Sequence, residues 1–213
     1  YALDAATGDV RWKTPIGSED ELSPAVSDGI VYIGSRDKHV YALDAASGNV
    51  RWKTPTPRGW VDSSPAVLDG SLYISSHAHL GGGEFVKHVY ALDAATGEVR
   101  WKTPASSWVH SSPAASDGMV YVGGGRQVYA LDAATGEVRW KTRTDGRVDS
   151  SPAVSDGIVY IGSRDKHLYA LDAASGDVRW EAPTDGEVST SPVVCNRVVY
   201  IGSSFCVYAF EVG

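Results

Sequence analysis

Tyr90-Ala91-Leu92-Asp93-Ala94-Ala95-Thr96-Gly97-Glu98-Val99-Arg100-Trp101 is the stretch on which the fold turns. Its first five residues return at Tyr1, Tyr41, Tyr129 and Tyr169, and a degenerate Tyr-Ala-Phe-Glu-Val begins at Tyr208. A module of about 40 residues is therefore copied along the chain, and residues 1–213 read as a single domain of five full periods and a partial sixth. Inside each period, four short strands alternate with turn signals, which leaves no room for a ten-residue helix. In the second period the strands are predicted at 39–44, 50–54, 61–67 and 71–75.

The turns supply the punctuation. In Asp44-Ala45-Ala46-Ser47-Gly48 the aspartate can accept bonds from backbone amides ahead of it, and the glycine takes the positive φ that closes a tight turn. A second turn ends in Asp-Gly at Gly29, Gly70, Gly118 and Gly157, and the last period puts Cys195-Asn196-Arg197 there instead. Strand polarity then ranks the strands. The run Ile30-Val31-Tyr32-Ile33 is apolar on both faces and must be covered on both sides, whereas Val10-Arg11-Trp12-Lys13 alternates and reads as a charged outer edge. All-β units of four antiparallel strands, buried on both faces and stacked around an axis, make a β-propeller. Five blades are expected, the last completed by the N-terminal strands, although Tyr1 to Asp4 and Cys206 to Phe210 are equivalent and compete for one place.

Composition agrees with a copied module: glycine (23), tyrosine (11) and tryptophan (7) are abundant beside one methionine and three phenylalanines. A 43% hydrophobic content excludes a disordered chain. No apolar run approaches the ~20 residues of a bilayer span. A net charge of −7 without lysine and arginine clusters argues against nucleic acid as a partner.

The pattern Ala-x-Asp-x-x-Thr/Ser-Gly-x-x-x-Trp holds in all five periods, for example at Ala130, Asp132, Thr135, Gly136 and Trp140. It resembles the tryptophan-docking motif of the pyrroloquinoline-quinone-like (PQQ-like) propeller repeats, a family that includes quinoprotein dehydrogenases and BamB-like scaffold proteins. The resemblance implies that Trp12, Trp52, Trp101, Trp140 and Trp180 dock each blade on its neighbour, and it favours an extracytoplasmic location. It argues against an enzyme here. The family's dehydrogenases use adjacent cysteines and eight blades, while this chain has Cys195 and Cys206 far apart, so no catalytic residue, cofactor or metal is assigned. The cysteines are expected to be free thiols, being separated by the length of a blade.

What departs from the template lies on the top face, opposite the Asp-Gly turns. Before the innermost strands, equivalent positions read Glu19, Trp60, Trp108, Arg147 and Glu187, and two residues further on Glu21, Asp62, His110, Asp149 and Ser189. Two aromatics among charges describe a surface for a protein or a small ligand, and equally a solvated rim with both tryptophans tucked under loops. Glu21, Asp62 and Asp149 could gather around a cation, against water as the ordinary occupant. The insertion His77 to His88 is expected as a long top-face loop. His77, His79, Glu84 and His88 are nominal metal ligands there, while Leu80 and Phe85 could meet a partner on a glycine hinge. The tips Arg36 to His39 and Arg164 to His167 read as solvated loops. Three roles remain open: a non-catalytic scaffold or binding module, a fragment of a quinoprotein or receptor sensor, and a repeat-amplified or engineered propeller. The last is suggested because Ser151 to Asp172 repeats Ser23 to Asp44 but for Leu168 in place of Val40.

Overall fold

The computed structural model describes residues 1–17, 22–56, 59–61, 63–81, 84–105, 109 and 111–212, with backbone alone over 77–81 and 84–86. Every element among the described residues is a strand. A pair, β1 (Ala2–Leu3) and β2 (Val10–Trp12), precedes a first blade of β3 (Ala25–Ser27), β4 (Ile30–Ser35), β5 (His39–Asp44) and β6 (Val50–Pro55). The second blade holds β7 (Trp60–Val61), β8 (Ala66–Leu68), β9 (Ser71–Gly81), β10 (Glu84–Asp93) and β11 (Val99–Pro104). The third has β12 (Ala114–Ser116), β13 (Met119–Gly124), β14 (Gln127–Asp132) and β15 (Val138–Arg143), and the fourth β16 (Ala153–Ser155), β17 (Ile158–Ser163), β18 (His167–Asp172) and β19 (Val178–Pro183). A three-stranded sheet, β20 (Val193–Cys195), β21 (Val198–Gly202) and β22 (Val207–Glu211), ends the order, and pairing is antiparallel between successive strands, except that β7 and β8 both pair with β9.

Local chemistry fixes these hairpins. Asp28 and Gly29 both have positive φ, as do Asp69 and Gly70, Asp117 and Gly118, and Asp156 and Gly157, which is the type I′ geometry matched to strand twist. At the other turn of the same end, the Asp44 carboxylate accepts from the amides of Ala46 and Ser47, and Ala45 N–H donates to Gly29 C=O, so both turns are knitted together at the bottom face.

The core lies between blades rather than within them. Tyr121, Val128 and Ala130 of the third blade pack against Val148, Val159, Ile161 and Leu171 of the fourth, and three equivalent clusters fill the other seams. A hydrogen-bonded belt runs along the inner strands: the amides of Ser23, Ser64, Ser112 and Ser151 donate to the hydroxyls of Ser64, Ser112, Ser151 and Ser191, at 2.9–3.1 Å.

Three expectations are corrected. The N-terminal strands do not complete the last blade: among the described residues β1 and β2 pair only with each other, and β22 already holds the third place in its own sheet. The innermost strand of the second blade is not continuous over 61–67, because Pro65 in the Ser63-Ser64-Pro65 step has no N–H to give the ladder, which leaves β7 and β8 on either side. The His77 to His88 insertion is no loop; it lengthens β9 and β10 into a hairpin in register from Asp93↔Ser71 to Glu84↔Gly81, shifted between Glu84 and Phe85.

Candidate functional site

Two kinds of site can be built from these strands, one repeated and structural, the other individual to the top face. In the repeated site, Trp12, Trp52, Trp101 and Trp140 each donate Nε1–H to a backbone carbonyl in the following blade, of Ala45, Ala94, Ala133 and Ala173, at 2.9–3.1 Å. The indole lies flat on the turn glycine. A Cβ at Gly97, where φ is +76°, would stand 2.7 Å from the Trp52 ring, so this place needs glycine for both its dihedral and its space. Thr54 closes the lock with a hydroxyl bond to Gly97 C=O of 2.7 Å. Trp180 makes the same tilted 5.9 Å contact with Tyr160 that Trp52, Trp101 and Trp140 make with their tyrosines and adds Phe210 at 6.4 Å, but the expected docking on a following blade is not found for it among the described residues.

Charges brace the same turns. The Arg100 guanidinium beside Asp93 holds its carboxyl down at about 2, and Arg139 and Arg179 do the same for Asp132 and Asp172. Arg51 sets Asp44 well below the usual carboxylate range.

On the top face, Asp149 lies between two arginines. Arg147 donates from Nε to Oδ1 at 2.8 Å, Arg164 from Nε to Oδ2 at 2.6 Å, and Arg164 Nη1 reaches Glu187 at 3.4 Å. The backbone holds them there, because Arg164 N–H bonds Arg147 C=O at 2.9 Å. The network spans the fourth blade and the last sheet. Arg164 keeps the exposed hairpin-tip place expected of it, and from there it reaches both carboxylates. Ser189 is exposed beside it and the buried Val188 anchors the entry segment.

Trp60, 44% exposed, sits on β7 opposite His77, where the long hairpin leaves the blade. Sequence reasoning missed Lys87. Its counterparts Lys38 and Lys166 are exposed at hairpin tips, whereas Lys87 is 5% exposed, and burial with the nearby Arg147 charge lowers its pKa to about 8. The signal was present in the insertion, which moves the tip away and leaves the lysine mid-strand. Glu19, Glu21, Asp62, Trp108 and His110 lie outside the described residues, and so do the side chains of His77, His79, Leu80, Glu84 and Phe85. His88 belongs to the blade, opposite Pro104 as His39 is opposite Pro55. Among the described residues no three His, Cys, Asp or Glu side chains gather as metal ligands, and the Asp149 carboxylate is taken by its arginines. Cys195 and Cys206 are free and exposed.

Blades packed face to face and locked by tryptophan on a turn glycine define a β-propeller of docking-motif repeats. The family model described as outer membrane protein assembly factor BamB matches residues 1–87 and 84–145, and the chain belongs to this PQQ-like repeat family. BamB from Moraxella catarrhalis is similar in structure at 21% identity and a TM-score of 0.77, covering 96% of this chain and 62% of that one. The computationally designed Ika8 protein is similar at 18% identity and a TM-score of 0.71, over 89% of this chain and 57% of that one. A quinohemoprotein alcohol dehydrogenase from Pseudomonas putida is similar at 18% identity and a TM-score of 0.72, over 94% and 41%. This chain therefore spans less than two thirds of each. No curated protein sequence matches it. Among the described residues no helix is long and apolar enough to cross a membrane.

Proposed function

We propose that the chain is a non-catalytic scaffold module that engages a protein partner through its top face, in the manner of an assembly factor for outer membrane proteins. One observation carries this reading: the departures from the repeat are concentrated on one face. Exposed Trp60, the projecting β9–β10 hairpin and the Arg147–Asp149–Arg164–Glu187 network stand at the top, while the bottom turns are near copies of one another. A tryptophan and two arginines beside a raised strand pair are the residue types that dominate binding energy at protein contacts. Membership of the BamB family supports a partner from outer membrane assembly. The widely separated Cys195 and Cys206, exposed and unpaired, speak for a scaffold over a quinone enzyme.

The immobilised chain and the double variant Trp60→Ala, Arg164→Ala are compared for recovery of outer membrane assembly proteins from a detergent extract. Loss of a central tryptophan contact of about 2 kcal/mol lowers affinity roughly 30-fold. Equal recovery by both forms contradicts the reading. Titration with pyrroloquinoline quinone, followed by absorbance, tests the enzyme alternative and is expected to leave the spectrum of the quinone unchanged.

A further inference from the structure

One buried hydroxyl is left over in the seam between the second and third blades. Ser75 on β9 takes the place held by Gly34, Gly123, Gly162 and Gly202 in the other sheets. Its backbone is held as theirs is: the Ser75 amide donates to Ser63 Oγ at 2.8 Å, as the amides of Gly123, Gly162 and Gly202 donate to the hydroxyls of Ser111, Ser150 and Thr190. The side chain is the addition. Ser75 is 1% exposed, and its Oγ has no hydrogen-bond partner among the described residues. A hydroxyl left dry and unbonded is costly, so the place calls for an occupant.

The same substitution makes room for one. A Cβ at Gly34, Gly123 or Gly162 would stand 2.2–2.4 Å from Val61, Val148 or Val188 of the next blade. Ser75 carries that Cβ, so the equivalent Val109 of the third blade cannot approach as closely. The chemistry around the hydroxyl is cationic. Ser75 lies opposite Val89, and Lys87 is the next residue of β10 on that face of the sheet. Lys87 is 5% exposed; burial, and then the charge of Arg147, whose Nε donates to Asp149, lower its pKa to about 8. A hydroxyl proton beside a buried ammonium suits an anion better than a cation or a neutral water. Size narrows the choice. The hollow beside Val89 in this seam, lined also by Ala105, Val122 and Tyr129, measures about 10 Å³, room for one particle of about the size of water.

We propose that the seam between the second and third blades holds one monatomic anion of halide size, which accepts from Ser75 Oγ–H and is balanced by the Lys87 ammonium. The ion satisfies the stranded hydroxyl and offsets the cost of burying the lysine, and it ties the root of the β9–β10 hairpin to the third blade. One ion per chain is expected, because neither half of the site recurs. Glycine stands at the place of Ser75 in the other sheets, and Lys38 and Lys166 are exposed at hairpin tips. The proposal is independent of the top-face reading, which concerns other residues.

Thermal unfolding of the 213-residue chain in sodium chloride and in sodium gluconate at equal ionic strength is the test, with bromide and sulfate as further arms. A bound ion raises the melting temperature with the logarithm of its concentration, so a gain of roughly 4 °C for each tenfold rise beyond half-saturation is expected in chloride and bromide, and none in gluconate or sulfate. Ser75→Gly restores the residue of the other blades and is expected to keep the far-UV circular dichroism while losing the chloride dependence. Lys87→Met is expected to lose it too. The line width of the chloride NMR signal gives a reading without unfolding, broadened by the wild-type chain and not by Ser75→Gly. A wild-type melting temperature that is the same in chloride and gluconate, as a buried water would give, overturns the proposal. So does a chloride effect that survives in either variant, or a sulfate effect equal to that of chloride.

Discussion

At the residue scale, the docking lock asks for side chains and backbone that no other choice satisfies together. Gly97 and Gly70 both have positive φ, but only Gly97 lies under an indole; a Cβ at Gly70 meets nothing within 4 Å. Gly70→Ala is expected to cost about 1 kcal/mol of backbone strain and Gly97→Ala about 3 kcal/mol or more, read from urea midpoints, and equal costs would contradict the lock. Arg197 holds a φ of +62° where the other blades place glycine, so Arg197→Gly should raise stability by about 1 kcal/mol. Asp93, Asp132 and Asp172 have folded pKa values near 2, below the unfolded value near 4. Their contribution is complete above pH 4 and is lost as pH falls towards 2, so the urea midpoint should drop across that window, and by less in Arg100→Gln. These locks were legible in the sequence because they recur every period. Arg164 was not, since its role rests on Asp149 and Glu187, which only the packed blades bring within reach.

At the element scale, alternation and Asp-Gly turns placed most strands within a residue or two, as at His39–Asp44. The inserted segment was misread because Gly81-Gly82-Gly83 reads as a loop. Yet a glycine cluster between two strands is equally a hairpin tip, and pairing of β9 with β10 decides for the hairpin. Ser76 faces His88 as Ser35 faces His39, so the blade is already complete below the extension. Replacing residues 77–87 by Arg-Asp-Lys, the tip found at 36–38, should leave the melting temperature within about 4 °C, which corresponds to about 1 kcal/mol or less, while abolishing partner recovery. A collapse of the fold would show the hairpin to be structural.

At the scale of the whole molecule, four apolar seams and the serine belt join successive blades, so stability is shared between neighbours as in other repeat arrays. The sequence shows the blade and its docking, but the relation between the ends could not be read there, because β1 and β22 carry the same pattern and one place cannot hold both. The function proposed above follows the same division: the repeated part builds the array, and the non-repeated part of the top face is the surface assigned to a partner. A photo-cross-linking residue at Trp60, compared with one at Asp156 on the bottom turns, tests this most directly in an extract containing outer membrane assembly proteins. The account predicts a discrete protein adduct from position 60 that disappears with Arg164→Ala, and none from position 156. Equal adducts from both faces, or none from position 60, would contradict it.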